Sequence, residues 1–298
     1  MKLSQFLDVV EIKTKIVSVS TFFIAVFYLL WHGVRIDALK FALLLPAVLS
    51  LDMGTTAFNN FFDFRSGVDK SAALREKEKN LVHEGLGEYQ VGLAAFILFG
   101  ITAVLGLILV FLTNWRLLAL GLVCMLIGFC YSGGPFPISR GPFGDLFAGG
   151  SLGSALFLFT IFTFKESLHI TDFLVSVPSL LIIASILTVN NNCDILGDKA
   201  GGRKTLSILI GVKAGEVLVY ILNLGAYAAL TANALRGNLP RTVLYTAAPA
   251  VILSIPFYIR MHKNGFSHAA KIISMNGISL LFIIFTLSVL AGLIIALF

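Results

Sequence analysis

The chain has 298 residues, of which 57% are hydrophobic and 13% are charged, and its mean hydropathy is +0.92. Soluble globular domains carry about 25% charged residues, so this composition excludes a soluble enzyme and predicts an integral membrane protein. The formal net charge of +6 does not indicate nucleic acid binding, because the basic residues are distributed among loops between apolar segments.

Nine apolar segments are long enough to cross a bilayer, which takes about 20 residues. They cover residues 16–33, 39–58, 90–112, 116–133, 143–164, 172–190, 212–234, 241–259 and 272–297. The sequence therefore predicts an all-α polytopic protein with nine transmembrane helices, in one domain over residues 1–298. No small-residue cleavage site follows the first apolar run, so we expect a retained span. Residues 1–15 are patterned as an amphipathic helix, which we expect at the membrane interface.

The distribution of Lys and Arg predicts the orientation of the spans. With a cytoplasmic N-terminus, 16 of the 22 Lys and Arg residues fall on the cytoplasmic side, as the positive-inside rule requires. This topology predicts a multi-pass protein of the cell membrane. It also places two hydrophilic segments, residues 59–89 and 191–211, in the cytoplasm as active-site loops.

Two acidic motifs stand at the ends of apolar helices. Asn190, Asp194 and Asp198 are spaced four apart, so they share one face if the preceding helix continues. An earlier motif contains Asn59, Asp63 and Asp69; the last departs from this spacing. Carboxylates at a membrane-buried helix end need a compensating charge, and hard ions such as Mg²⁺ bind carboxylates and phosphates together. The motifs therefore predict a metal-dependent diphosphate site, with Asp63, Asp69, Asp194 and Asp198 as ligands.

The two motifs are separated by four spans, so they lie on the same side of the membrane. A duplicated four-helix unit would produce this spacing, with the two acidic ends facing each other across a central cavity. The ninth span is then an addition to two half-repeats.

Two other segments have features that suit such a site: one is basic and one is rich in glycine and proline. Lys199, Arg203 and Lys204 follow the second motif and could neutralise phosphate oxygens, or serve only as positive-inside residues. Residues 131–145 (YSGGPFPISRGPFGD) contain paired glycines and three prolines, which exclude regular helix. Irregular backbone at membrane depth can line a cavity, so Tyr131, Arg140 and Asp145 are candidates for that cavity. A rigid re-entry turn is the alternative.

Asp52 lies within the second apolar segment, where an ionisable residue marks a functional site by default. Thr55, Thr56 and backbone groups could also satisfy its carboxylate, so both a catalytic and a structural role stay open. Small residues in FAGGSLGSALF, residues 147–157, predict close helix packing.

At these motifs the chain resembles the UbiA superfamily of membrane prenyltransferases. The first family motif is matched by Asn59, Asp63 and Asp69. The second is matched by Asn190, Asn191, Asp194, Asp198, Gly202, Thr205 and Leu206. Residues 131–145 are similar to the signature of the menaquinone branch, the 1,4-dihydroxy-2-naphthoate prenyltransferases. Two positions depart from that branch: Cys193 stands where Arg is usual, and Asn60 stands where Asp is usual.

The resemblance implies electrophilic prenyl transfer from a polyprenyl diphosphate to an aromatic acceptor, with Mg²⁺ as cofactor. It assigns Asp63, Asp194, Asp198, Asn59, Asn190 and Tyr131 to catalysis, and Lys79, Arg140, Lys199, Arg203 and Lys204 to the diphosphate. In the menaquinone branch the acceptor carbon loses its carboxylate as CO₂. The isoprenoid tail is expected to extend into membrane lipid.

Other functions remain open on the residues alone. A related enzyme could use another aromatic acceptor, or cyclise a terpene without an acceptor. An ion-coupled transporter would also contain intramembrane carboxylates, although such acids usually lie near the membrane midplane. Prenyl chain length and oligomeric state are not predicted.

Overall fold

The computed structural model describes residues 1–66 and 86–298. Within those residues it contains helices and no β-strand. The α-helices are α1 (Leu3–Val9), α2 (Ile16–Trp31), α3 (Ala38–Ser66), α4 (Glu88–Leu112), α5 (Arg116–Ser132), α6 (Gly144–Gly149), α7 (Leu156–Lys165), α8 (Ile170–Cys193), α9 (Ile195–Ala200), α10 (Leu206–Ile210), α11 (Val212–Leu235), α12 (Thr242–Asn264) and α13 (Lys271–Ile295). Short 3₁₀ helices cover Ile12–Lys15 and Ile138–Arg140, and a π-helix, Gly150–Ala155, joins α6 to α7.

The described helices confirm a polytopic all-α membrane fold, with one qualification about the predicted count. Eight of them are long and apolar enough to cross a membrane, the fifth span being the continuous run Gly144–Lys165. The predicted fourth span corresponds to α5, which has only 17 residues. Glycines and prolines end α5 at Ser132 and allow only a 3₁₀ turn before α6 begins.

Packing of the helices follows the predicted half-repeats in one respect. The second span of the first half, α3, packs extensively against α4, and its counterpart α8 packs extensively against α11. Each of α3 and α8 leads into an acidic motif at its C-terminal end. The ninth span, α13, packs mainly against α12 and also contacts α8 and α2.

Two glycines let the fifth span lie directly on α8. A Cβ atom on Gly153 would lie 2.4 Å from the backbone nitrogen of Leu180, and one on Gly149 would lie 2.4 Å from the Leu180 carbonyl oxygen. The close approach predicted for residues 147–157 is therefore present. It holds α8, and with it the second acidic motif, at a fixed distance from α6.

The N-terminal segment packs onto the end of the bundle. Val9 and Val10 are fully buried, and the Asn60 side-chain amide donates a 2.8 Å hydrogen bond to the Val9 carbonyl. An Asp at position 60 would place an acceptor against that carbonyl, so Asn is the residue that fits this contact. Lys15, which the sequence places at the end of an interfacial helix, is only 4% exposed.

Candidate active site

A cavity of about 580 Å³ opens between the two halves of the bundle. Its walls are mainly apolar side chains from α3, α4, α5, α8 and the fifth span, among them Leu51, Leu118, Leu122, Phe159 and Ile186. One end is polar. There the lining residues are Asn59, Tyr131, Asn190, Asn191, Asp194, Asp198, Arg203, His268 and Lys271.

The first acidic motif lies on the last turns of α3. Asp63 is 3% exposed, and its two carboxylate oxygens each accept a 2.7 Å hydrogen bond from Nη2 of Arg203. Asn59, one turn earlier, accepts a 2.9 Å bond from the Ser132 hydroxyl at the end of α5. The predicted ligand Asp69 and the predicted diphosphate residue Lys79 lie outside the described residues.

The second acidic motif follows the end of α8. Helical hydrogen bonding continues past Cys193, because the Asp194 amide donates to the Asn190 carbonyl and the Asp198 amide donates to the Asp194 carbonyl. This continuation keeps Asn190, Asp194 and Asp198 on one face, as their spacing predicts. All three side chains line the cavity.

Arg203 joins the two motifs. Its Nη1 donates to Asp198 Oδ1 at 3.2 Å while Nη2 binds Asp63. Gly202 adopts a left-handed φ of 75°, a conformation that glycine accepts without strain, and the Arg203 amide then bonds back to the Asp198 carbonyl at 2.9 Å. Burial lowers the pKa of Arg203, but the carboxylates of Asp63 and Asp198 raise it by more, so the guanidinium stays charged.

The other described cations of the predicted diphosphate set are placed differently. Lys199 and Lys204 are exposed, and neither they nor Arg140 line the cavity. The Lys204 amide donates a 2.8 Å hydrogen bond to the Arg140 carbonyl, so the broken segment and the second motif are tied through their backbones. Of these four residues, only Arg203 contacts the acids directly.

Two site residues, near the start of the last span, were not predicted from the sequence. Lys271, at the start of α13, places its Nζ 2.5 Å from Asp194 Oδ2 and is 8% exposed. His268 Nδ1 lies 3.7 Å from Asp194 Oδ1. A lysine opening an otherwise apolar final span is the signal that could have identified Lys271.

Asp52 is held by partners other than the predicted threonines. Its Oδ1 accepts a 2.7 Å hydrogen bond from Lys15 Nζ, and its Oδ2 accepts one from the Ser18 hydroxyl. The Thr56 hydroxyl instead accepts from Lys15 at 2.6 Å and donates to the Asp52 carbonyl. The Asp52 carboxylate is thus half of a buried ion pair.

Asp145, at the start of α6, is 6% exposed. It accepts hydrogen bonds from the Thr188 hydroxyl at 3.0 Å and from the Asn191 side-chain amide. These contacts fix the broken segment against α8. Tyr131 lines the cavity near the polar end, as predicted.

The chemistry of the acidic donors fits Mg²⁺, which prefers oxygen ligands. Asp63 and Asp198 already share one cation, Arg203, which they contact through different nitrogens. Among residues 1–66 and 86–298, however, no three His, Cys, Asp or Glu side chains are grouped closely enough to hold a metal ion. The assignment of Asp63, Asp69, Asp194 and Asp198 as ligands therefore stays a prediction.

Similarity to known proteins extends over most of the chain. The sequence profile of the UbiA prenyltransferase family matches residues 18–280. The chain is 35% identical over 196 residues to 1,4-dihydroxy-2-naphthoate octaprenyltransferase of Bacillus subtilis (strain 168), covering 66% of this chain and 61% of that protein. It is 26% identical over 236 residues to UbiA prenyltransferase domain-containing protein 1 of Xenopus tropicalis, covering 78% and 65%. The matches thus span less than two thirds of the length of either relative.

Solved structures share the fold at low sequence identity. An apo UbiA homologue from Aeropyrum pernix K1 superposes with a TM-score of 0.71 at 18% identity, covering 94% of this chain and 98% of that one. A UbiA homologue from Archaeoglobus fulgidus bound to GPP and Mg²⁺ gives a TM-score of 0.68 at 13% identity, covering 97% and 99%. Together with the family match over residues 18–280, the helical bundle and its paired acidic motifs lead to one conclusion: this chain belongs to the UbiA prenyltransferase family.

Proposed function

We propose that the protein transfers a polyprenyl group from a polyprenyl diphosphate to an aromatic acceptor, 1,4-dihydroxy-2-naphthoate, in menaquinone biosynthesis. The observation that carries this proposal is the convergence of Asp63 and Asp198 on Arg203 at the polar end of a large apolar cavity. The carboxylates and cations that would bind a diphosphate lie at one end of the cavity. The apolar space beside them would hold the isoprenoid chain and the aromatic ring of the acceptor.

The polar end would hold the diphosphate. Mg²⁺ bound by Asp63, Asp69, Asp194 and Asp198, with Asn59 and Asn190 beside them, would neutralise negative charge on the diphosphate oxygens. Arg203 and Lys271 are cations already positioned among these acids, and they would bind phosphate oxygens that remain uncovered. Arg140, Lys199 and Lys204, which do not line the cavity, and Lys79, which lies outside the described residues, would complete the diphosphate set.

The apolar walls would protect the reaction. The allylic carbon–oxygen bond breaks with its electron pair leaving on the diphosphate, so positive charge develops on the allylic carbon. Side chains such as Leu118 and Phe159 exclude water that would capture this carbon, and Phe159 and Tyr131 can offer their ring faces to it. The acceptor ring carbon then forms the new carbon–carbon bond, and its carboxylate leaves as CO₂, returning the electron pair to the ring.

Relatives support the proposal without deciding the acceptor. The Bacillus subtilis protein is named as a naphthoate octaprenyltransferase, and the Archaeoglobus fulgidus homologue binds GPP and Mg²⁺. A related enzyme that uses another aromatic acceptor would bind a different molecule in the apolar part of the cavity, while its diphosphate site would be the same. Screening several aromatic acceptors, together with mass spectrometry of the quinones lost on deletion of the gene, separates these cases.

Purified protein with radiolabelled farnesyl diphosphate, Mg²⁺ and dihydroxynaphthoate is expected to form a lipid-extractable product. Asp63→Asn and Asp194→Asn should each reduce turnover by about 100-fold or more, because they remove charge where diphosphate charge develops. Stripping divalent ions with a chelator should stop the reaction.

Asp37→Asn is the matched control, because Asp37 is exposed and only accepts the Lys40 backbone amide before α3. Its turnover should equal that of the wild type. Absence of product with every aromatic acceptor tried, or full activity of Asp63→Asn, would contradict the proposal.

A further inference from the structure

A second charged group lines the same cavity away from the acidic motifs. Lys15 and Asp52 form a 2.7 Å ion pair whose side chains are 5% and 11% exposed, and both line the cavity. Glu11, Thr14 and Thr56 also line it. Burying an ion pair in a membrane protein costs free energy that hydrophobic residues of similar volume would avoid. A charged pair retained on the wall of a ligand-sized cavity is therefore a candidate ligand-binding group.

The position of this pair relative to the diphosphate end follows from α3. Asp52, Thr56, Asn59 and Asp63 recur at helical spacing and share one face of that helix. At about 1.5 Å of rise per residue, Asp52 lies about 10 Å from Asn59 along the helix axis and about 16 Å from Asp63. The cavity therefore has two polar groups, with apolar side chains such as Leu51 and Met125 also among its lining residues.

The hydrogen-bonding capacity of the pair suits an aromatic ring that carries both a carboxylate and hydroxyl groups. The Lys15 ammonium has three donors, of which two bind Asp52 Oδ1 and Thr56 Oγ1 at 2.7 and 2.6 Å. The third has only a long contact, 3.5 Å, to the Asp52 carbonyl, so it is the donor that a ligand anion would take by a charge-assisted hydrogen bond. Each Asp52 carboxylate oxygen accepts one described hydrogen bond, from Lys15 or from Ser18, and a carboxylate oxygen can accept two. The Asp52 carboxylate can therefore accept from a ligand hydroxyl while its pairing with Lys15 persists.

We infer that Lys15 and Asp52 bind the polar edge of the aromatic acceptor, with Lys15 on its carboxylate and Asp52 on a ring hydroxyl. This inference rests on the proposed function for the nature of the acceptor, and it adds the residues that select it. With the acceptor held there, its ring lies between the two polar groups, facing the allylic carbon of a diphosphate bound at Asp63 and Asp198. Lys15 is then a specificity-determining residue, favouring acceptors that carry an anionic substituent.

The test compares two probes that differ only in the carboxylate: 1,4-dihydroxy-2-naphthoate and 1,4-dihydroxynaphthalene. Their binding to the purified full-length protein is measured by naphthalene fluorescence, without diphosphate or divalent ion. Lys15→Met should weaken binding of the naphthoate by about tenfold or more, as expected for loss of a charge-assisted hydrogen bond, and change binding of the dihydroxynaphthalene by less than about twofold. Asp52→Asn should weaken both probes, because both carry the hydroxyl.

Lys40→Met is the matched control. Lys40 pairs with Glu166 at 3.6 Å and does not line the cavity, so both probes should bind as they do to the wild type. A single variant leaves one buried charge unpaired and can fold poorly, so the double variant Lys15→Met, Asp52→Asn, which removes both charges together, is the second test. It should also lose the preference for the naphthoate. Binding of a non-reactive prenyl thiodiphosphate with Mg²⁺ should stay unchanged in Lys15→Met.

Equal loss of both probes in Lys15→Met, or an unchanged preference for the naphthoate in that variant or the double variant, would overturn the inference. The proposed function can fail separately. If the wild type binds the naphthoate through Lys15 but forms no prenylated product with farnesyl diphosphate, the binding site stands and the transfer reaction does not.

Discussion

Arg203 is the residue on which the geometry of the acidic end depends most. Arg203 forms ion pairs with both Asp63 on α3 and Asp198 after α8, and both carboxylates are almost completely buried. Without a divalent ion, a buried acid pair of this kind needs a cation beside it. Arg203 therefore has two roles in our proposal: it holds the two halves together in the ligand-free protein, and it binds diphosphate in the loaded one.

Arg203→Met should destabilise the ligand-free protein by about 3–5 kcal/mol, the usual cost of removing one partner of a buried ion pair. Added Mg²⁺ should restore more stability to this variant than to the wild type, because the ion can replace the lost positive charge. Thermal unfolding in detergent, with and without Mg²⁺, measures both effects.

Arg65→Met, on α3 two residues after Asp63, is the control. Arg65 is largely exposed and 4.0 Å from Glu88, an arrangement that contributes at most about 1 kcal/mol. Unchanged unfolding of Arg203→Met in the absence of Mg²⁺ would show that the Asp63 and Asp198 contacts do not stabilise the bundle.

The site residues that were predicted from the sequence and those that were missed differ in the sequence separation between interacting residues. Asn190, Asp194 and Asp198 follow helical spacing, which is a local property, so their common face was predictable. Lys271 pairs with Asp194 across 77 positions, and Lys15 pairs with Asp52 across 37. Such pairs depend on how the helices pack, which neither spacing nor hydropathy specifies. For Asp52, the sequence marked the unusual residue, but the carboxylate's partners, Lys15 and Ser18, were not among the groups considered.

At the scale of the elements, the contact between the fifth span and α8 determines where the second acidic motif lies. Gly149 and Gly153 bring the span against the backbone of α8 at Leu180. Close backbone approach through small residues is a common way for membrane helices to associate. The composition predicted this packing, but it did not predict the π-helical turn at Gly150–Ala155.

Gly153→Ala should destabilise the protein by about 1–3 kcal/mol, the typical cost of overpacking, because the new methyl group would lie 2.4 Å from a backbone atom. Gly150→Ala is the matched control: no neighbouring atom lies within 4 Å of a Cβ at that position, so its stability should be equal or higher by up to about 1 kcal/mol. Equal unfolding midpoints for the two variants would show that the α8 contact is not tight.

At the scale of the whole molecule, eight long apolar helices and family membership establish a multi-pass membrane protein, whereas the direction in which it is inserted is our proposal. With the predicted nine spans, 16 of the 22 Lys and Arg residues fall on the side of the acidic motifs. By the positive-inside rule this side is cytoplasmic.

Labelling of single cysteines in intact cells tests the orientation. In a variant without the three native cysteines, Arg236→Cys after α11 should react with a membrane-impermeant maleimide. Lys263→Cys at the end of α12 should react only after permeabilisation. Both positions are exposed and lie at opposite ends of α12, so each serves as the control for the other. The reverse pattern would invert the topology.

The ion pairs of Arg203 and Lys271 have a thermodynamic consequence for the order of ligand binding. A divalent ion that enters alone must compete with the cations already paired to Asp63, Asp194 and Asp198. When the ion arrives with a diphosphate, the displaced guanidinium and ammonium groups gain new anionic partners, and this competition is offset. We therefore expect positive cooperativity between ion and diphosphate, and linkage requires that each increases the affinity for the other by the same factor.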